Sequence, residues 1–303
     1  MCTFVEVTKK LLYKILLFSL AQAHRNIAMA VKKQIQTYMK NLLKLVLACA
    51  LLLQHEWVSA WGMTGHRVIA EIAENHLNRK ARKNIHKIIG NQKLAYWSNW
   101  ADFIKSDPDP ALNSTGTYHF LNTEGNLDFE RFTAALSASP ENNLYKAYLR
   151  IKNEAQRNNL SLKEQQQHLY FIVHLLADAH QPMHVSRAED LGGNKIEVDF
   201  FGKKANIHRV WDSDLIDNEK YSYTEYARVL DIYDQSYYKQ FTDTTFEQWL
   251  YESHQLANEI YDDVAQNANL RYEYIYRFKY PMEACLLKAG VRLAKELNDI
   301  YGR

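Results

Sequence analysis

Beyond residue 60, apolar residues recur every three to four positions along most of the chain, the spacing of one face of an α-helix. In GHRVIAEIAENHL, Val68, Ile69, Ile72, Ala73 and Leu77 share such a face. In LSLKEQQQHLYFIVHLLADAH, Leu169, Ile172, Val173 and Leu176 do the same, and Pro182 marks the exit of that helix. Helical patterns also cover residues 222–238, 244–264 and 281–299, the last with Met282, Leu286, Ala289, Leu293 and Leu297 in register. The runs DPDPALNSTGT (107–117) and EDLGGNK (189–195) are punctuated by Pro and Gly and read as loops. Only IEVDFFG alternates in the manner of a strand. No composition shift, repeat or low-complexity tract divides residues 61–303. The pattern predicts one compact all-α domain with long loops and minimal β structure.

The first 60 residues read differently. Lys40 and Lys44 precede an apolar core from Leu45 to Leu53, and the segment closes on Val58-Ser59-Ala60, with acceptable residues for signal peptidase at −3 and −1. The core is too short for a stable membrane span. A leader over residues 1–60, with its compact signal at about 39–60, is therefore expected to be removed after Ala60, so that the protein is exported to the periplasm or secreted. Met39 would start such a compact signal, leaving residues 1–38 as a long leader or an upstream-start artefact. A second reading makes Cys49 a lipid-modified cysteine, which would leave Trp61 inside a longer chain.

Removing the leader changes the charge balance. It carries 8 of the 37 Lys and Arg and 2 of the 35 Asp and Glu, leaving 29 basic against 33 acidic residues, formally −4. A mildly acidic body argues against holding nucleic acid by broad phosphate neutralisation; contact with a polyanion should be local. Of three cysteines only Cys285 lies beyond the leader, so no intramolecular disulfide can staple the domain. Packing, metal, or both must hold it.

Candidate chemistry sits in five short runs. In HLLADAHQPMH, His174 and Asp178 lie four apart on one helix face, and His184 follows just past Pro182. IHRVWD repeats that spacing with His208 and Asp212, and Val210 and Trp211 place the segment partly inside, where an unpaired carboxylate is costly. NWADFIK sets Asp102 between Trp100 and Phe103, with Lys105 about one turn on. His119 stands between aromatics in TYHFLN, and His66 opens the first helix five residues after Trp61. Each taken alone has an ordinary explanation: a surface helix pair, a core histidine, a cap, an exposed lysine. Together they form a His/Asp set of the kind zinc accepts, enough for a multinuclear metallohydrolase but not for naming its substrate.

The opening WGMTGH, then WAD, YHF, HLLADAHQPMH, LGGN, IHRVWD and AGVRLAKELN, in this order, resemble the S1/P1 nuclease family across nearly all of residues 61–303. The resemblance implies a helical domain of the phospholipase C/P1 nuclease type and three zinc ions per chain. Asp102, His119, His174 and Asp178 would hold one. Trp61, through its α-amino nitrogen and carbonyl oxygen, would join His66 and a bridging Asp178 on a second, and His184, His208 and Asp212 would hold the third. Lys105 matches a basic position at the phosphate and Phe120 the aromatic that packs on the base. His180 has no ligand role there.

By the same resemblance the substrates are single-stranded DNA and RNA, cut endonucleolytically to 5′-phosphate products, and 3′-mononucleotides. A hydroxide bridging the paired zincs would attack phosphorus, with Asp102 orienting it. Stacking on Phe120 requires an unpaired base, which gives a physical reason for single-strand preference. No stable membrane span or obligate protein partner is implied, and a monomer is expected. Two departures stand out. The better-known eukaryotic members carry disulfides, which this chain cannot form. At the base pocket Asn122 stands where several members carry an aspartate and Ser213 where some carry an asparagine, which alters how a base edge is read. The nearest rival is a zinc-dependent phospholipase C, disfavoured by Asp212 in HRVWD, where that enzyme uses glutamate, and by the short spacing from Trp61 to His66. A non-catalytic exported zinc-binding protein is the rival of another class; no ligand position is missing.

Overall fold

The computed structural model of the chain describes residues 32–34, 36, 39–40, 61–140 and 142–303. The expected leader therefore lies outside the described residues apart from the helical positions 32–34, 36 and 39–40, and so does the cleavage point after Ala60. The chain divides into two compact units, Met1–Trp57 and Val58–Arg303.

The main helices of the second unit are α1 (Met63–Asn75), α2 (Arg79–Ile89), α3 (Phe129–Ala138), α4 (Leu144–Glu154), α5 (Leu162–Asp178), α6 (Tyr223–Leu230), α7 (Gln235–Thr242), α8 (Phe246–Gln266) and α9 (Tyr272–Tyr301). Side-chain caps start most of them. Asn78, Asp128 and Asn143 accept from the first turns of α2, α3 and α4, and capping boxes at Ser161/Glu164, Ser222/Glu225 and Thr245/Gln248 start α5, α6 and α8. Helices α2, α3 and α4 are additions to those expected from apolar spacing.

The stretch expected as one helix over 222–238 is two. Asp231 breaks it by accepting from the Tyr238 hydroxyl and pairing with His76 Nε2, each at 2.7 Å, while Asp234 caps α7. The last helix, expected from Pro281, starts nine residues earlier and carries Pro281 inside it. Tertiary packing outweighs the proline: Tyr274 and Phe278 are buried, the Trp211 indole N–H donates to the Tyr274 hydroxyl at 2.7 Å, and the Trp211 and Phe278 rings meet edge-on.

A small three-stranded sheet completes the described unit. β1 (Glu197–Phe200), the expected alternating piece, pairs antiparallel with β2 (Lys203–Asn206) and parallel with β3 (Asn269–Leu270). The hairpin register sets Glu197 opposite Asn206, and Asn206 then caps the turn Ile207–Arg209. The sheet thus delivers His208 to the interior.

The core forms where α1, α5 and α9 meet. Val68, Ile69, Ile72, Leu169, Ile172, Leu176, Met282, Leu286, Leu293 and Leu297 are all fully buried, as their spacing predicts. Helices α1 and α9 approach closely at Gly290, where a Cβ would lie 2.5 Å from Ile72 Cγ2. Every residue of α5 from Leu169 to Asp178 is buried, so its polar end is inside with its apolar face. Among the described residues no helix is long and apolar enough to cross a membrane.

Candidate metal centre

Polar side chains from eight helices and turns converge at the end of α5. His174 and Asp178 come from its last turns, and His66 from the first turn of α1. Asp102 and Lys105 come from the turns Trp100–Phe103 and Ile104–Ser106, and His119 ends the turn Ser114–His119. His184 ends the turn Pro182–His184. His208 lies in Ile207–Arg209, which runs into a π-helical turn, Val210–Asp214, carrying Asp212. Such wide turns are uncommon and recur at functional sites.

Eight of these side chains form three groups: His66, His174 and Asp178; Asp102, His119 and His174; His184, His208 and Asp212. Within each, one candidate ligand atom per residue lies within 4.8 Å of the others. Asp178, fully buried, stands between the first two. Its Oδ1 faces His66 Nε2 at 3.4 Å, and its Oδ2 faces His119 Nδ1 at 3.1 Å and His174 Nε2 at 3.3 Å.

Backbone carbonyls orient three of the imidazoles. His174 Nδ1 donates to Ser98 O at 2.6 Å, His184 Nδ1 to His119 O at 2.6 Å, and His208 Nδ1 to Gly192 O at 2.7 Å. Each bond turns Nε2 toward the cluster in the tautomer a metal ligand needs. Gln181 spans to the third group, its Nε2 donating to Asp212 Oδ1 at 2.5 Å.

The residues fit a metal. Both nitrogens of His66, Nε2 of His119, His184 and His208, and Asp178 Oδ1 are buried without a hydrogen-bond partner. Isolated buried polar atoms are costly, so this many in one place calls for a cation. Imidazole with carboxylate is a donor set that suits zinc.

The electrostatics agree. Burial alone would raise the Asp178 carboxyl, but His174 and His184 outweigh it and hold it well below the usual carboxylate range. Asp102 is likewise held down, against burial, by His174, His119 and Lys105. Burial lowers His66, and lowers His119 to about 4. Against burial, the neighbouring carboxylates pull His174 and His184 up. Asp212 is held low by His208 and His184 despite burial. Carboxylates held ionised inside the fold are what a bound dication would stabilise.

The other sequence-predicted residues lie around this cluster. Lys105 Nζ is 2.6 Å from Asp102 Oδ1. Trp61 is fully buried; its indole, a donor only, gives its N–H to Ala177 O at 2.9 Å. Phe120 and Ser213 are half-buried, and the half-buried Asn122 has its Oδ1 without a hydrogen-bond partner. Of the two aromatics that flank Asp102 in sequence, whose presence suggests an apolar setting, Phe103 is 80% exposed and does not cover it. Sequence reasoning gave no role to Ser98, Gln181 and Gly192, although HQPMH and LGGN contained the latter two.

The fold and site define a helical protein built round a buried His/Asp array with the make-up of a multinuclear metal centre. The chain belongs to the S1/P1 Nuclease family, which it matches over residues 61–302. It is 27% identical over 274 residues to Endonuclease 2 of Arabidopsis thaliana, covering 81% of this chain and 92% of that one. With Nuclease S1 of Aspergillus oryzae it shares 30% over 166 residues, 51% of this chain and 54% of the other. Among solved structures, "Alpha Toxin from Clostridium Absonum" aligns with 81% of this chain and 66% of its own, at a TM-score of 0.41 and 16% identity. Family membership supports a nuclease, an enzyme that hydrolyses nucleic acid.

Proposed function

We propose that the protein is an exported, zinc-dependent phosphodiesterase that cleaves single-stranded DNA and RNA endonucleolytically to 5′-phosphate products and converts 3′-mononucleotides to nucleosides. The observation that carries this reading is the convergence of eight His and Asp side chains, seven of them buried, into three groups, with the ring nitrogens of His66, Nε2 of His119, His184 and His208, and Asp178 Oδ1 buried without a hydrogen-bond partner. Asp102, His119, His174 and Asp178 would hold one zinc, and His66 with Asp178 and the main chain of Trp61 a second. His184, His208 and Asp212 would hold the third. Zinc bound there supplies Lewis acidity toward phosphate oxygens and makes water acidic enough to attack at neutral pH.

The chain's own residues do the remainder. Lys105, held beside Asp102, presents a fixed positive charge to the phosphate. Asp102 orients the attacking group toward phosphorus. Phe120 offers a ring on which an unpaired base stacks, a contact tolerant of base identity. Asn122 and Ser213 would read the base edge. Charge concentrated in a local site explains how an acidic body handles a polyanion, and no obligate protein partner or oligomer is needed for it.

Assaying one preparation on single-stranded DNA, a 3′-mononucleotide and phosphatidylcholine tests the proposal. Hydrolysis of the first two, abolished by chelation and restored by zinc, is expected. Lipid hydrolysis without nuclease activity would overturn it.

A further inference from the structure

The loop containing LGGN is built more tightly than a connection needs to be. Leu191, Gly192 and Gly193 all lie in the left-handed region, with φ of 59°, 68° and 82°. For leucine that conformation is strained, and such strain persists only where surroundings enforce it. The loop is wedged between the two chain segments that carry the third His/Asp group. A Cβ on Gly192 would sit 2.6 Å from Met183 O, next to His184, and one on Gly193 would sit 2.6 Å from Ile207 Cγ2, next to His208. The carbonyl presented by this strained backbone is Gly192 O, the acceptor for His208 Nδ1.

One buried carboxylate holds the loop in place. Asp190 Oδ1 accepts from Gly193 N–H at 2.7 Å and from the Tyr261 hydroxyl on α8 at 2.7 Å. The Arg187 guanidinium caps the Tyr261 ring at 4.1 Å, and Gly192 N–H donates to Arg187 O. A continuous chain of contacts therefore runs from α8 through Tyr261, Asp190 and the glycine pair to the imidazole of His208.

We infer that Tyr261 and Asp190 are positioning residues for the His184/His208/Asp212 site, acting through Gly192 O to fix the ring orientation of His208. The inference rests on the metal reading proposed above. A partner one hydrogen bond from a ligand, here Gly192 O, is worth roughly 10–100-fold in metal affinity, and Asp190 and Tyr261 act on it through the backbone of the glycine pair.

The test is competition of zinc-loaded protein against a graded chelator, with retained zinc counted at each step and melting temperature measured after full chelation. Y261F removes one oxygen. It should release one zinc equivalent at about tenfold lower chelator than the unsubstituted protein and leave the others unchanged. Both bonds fall on the same oxygen of Asp190, so D190N should retain zinc nearly as the unsubstituted protein does, whereas D190A should behave as Y261F. This pair serves equally if Y261F folds poorly. A Y261F titration superimposable on the unsubstituted protein, or a variant that melts lower after chelation with zinc release unchanged, overturns the inference. An unsubstituted protein with the same zinc content as H184A overturns the metal reading at this site, and the inference with it.

Discussion

The indole N–H of Trp61 donates to the carbonyl of Ala177, the residue immediately before Asp178. The next residue, Gly62, donates its backbone N–H to Asp212 O at 2.6 Å. The start of the expected mature chain is thus tied to two of the elements that carry candidate ligands. Trp61 contributes to this through its side chain, while the atoms expected to reach a metal are on its main chain.

That division is testable. W61F loses one hydrogen bond and leaves a cavity where the larger indole sat, while Ala177 O retains its bond from His180 N–H, so a cost of about 1–3 kcal/mol is expected. W61A empties a fully buried site and should cost about 3–5 kcal/mol in thermal unfolding. Even so, folded W61A should hold more zinc than a precursor in which cleavage after Ala60 is blocked, because the variant keeps a free α-amino group. Full zinc content in the uncleaved precursor would refute the role given to the chain terminus.

Asp178 directs one oxygen to His66 and the other to His119 and His174. D178N keeps the shape and removes the charge. It should abolish hydrolysis of single-stranded DNA while the far-ultraviolet circular dichroism stays that of the parent. Parental rates in D178N would contradict the bridging role.

Metal should stabilise as well as activate, since the domain has no disulfide and its ligands come from separate elements. Chelation should lower the melting temperature; zinc at a hundredfold excess over its dissociation constant is worth about 2.7 kcal/mol per site. The sign of the pH effect follows from His174 and His184, whose pKa values are raised in the metal-free fold. Their protonated forms stabilise that fold below the unfolded histidine value of about 6.5, and this stabilisation disappears as pH rises through the raised values. Zinc requires the same imidazoles unprotonated. The gap in melting temperature between zinc-loaded and chelated protein should therefore shrink as pH falls from about 7 to 5. A gap that widened on acidification would contradict this assignment.

The contact of α1 with α9 makes a prediction independent of the metals. In G290A the new methyl would meet Ile72 Cγ2 at 2.5 Å and Ile72 Cβ at 2.6 Å, both on a branched side chain in a packed core. A loss of about 1–3 kcal/mol is expected, read as a lower denaturation midpoint with an unchanged slope.

Helical spacing made α1, α5 and α9 legible because their apolar positions repeat strongly, and it named the residues that form the core. It missed α2, α3 and α4, which rest on caps at Asn78, Asp128 and Asn143 as much as on periodicity. It merged α6 and α7 because the break depends on Asp231 bonding to His76, a residue 155 positions away. The candidate ligands were readable because histidine and aspartate are scarce in apolar runs. What orients them was not. The carbonyls of Ser98, His119 and Gly192 carry no residue-type signal, and only the folded chain shows which imidazole each one meets.

The measurement that bears most directly on the central claim is a zinc-edge anomalous difference map from crystals of the protein cleaved after Ala60. The account predicts three peaks: a close pair flanking Asp178, one of them in contact with the Trp61 main chain, and a third among His184, His208 and Asp212. A map without a peak at Asp178, or with peaks only away from these residues, would contradict it.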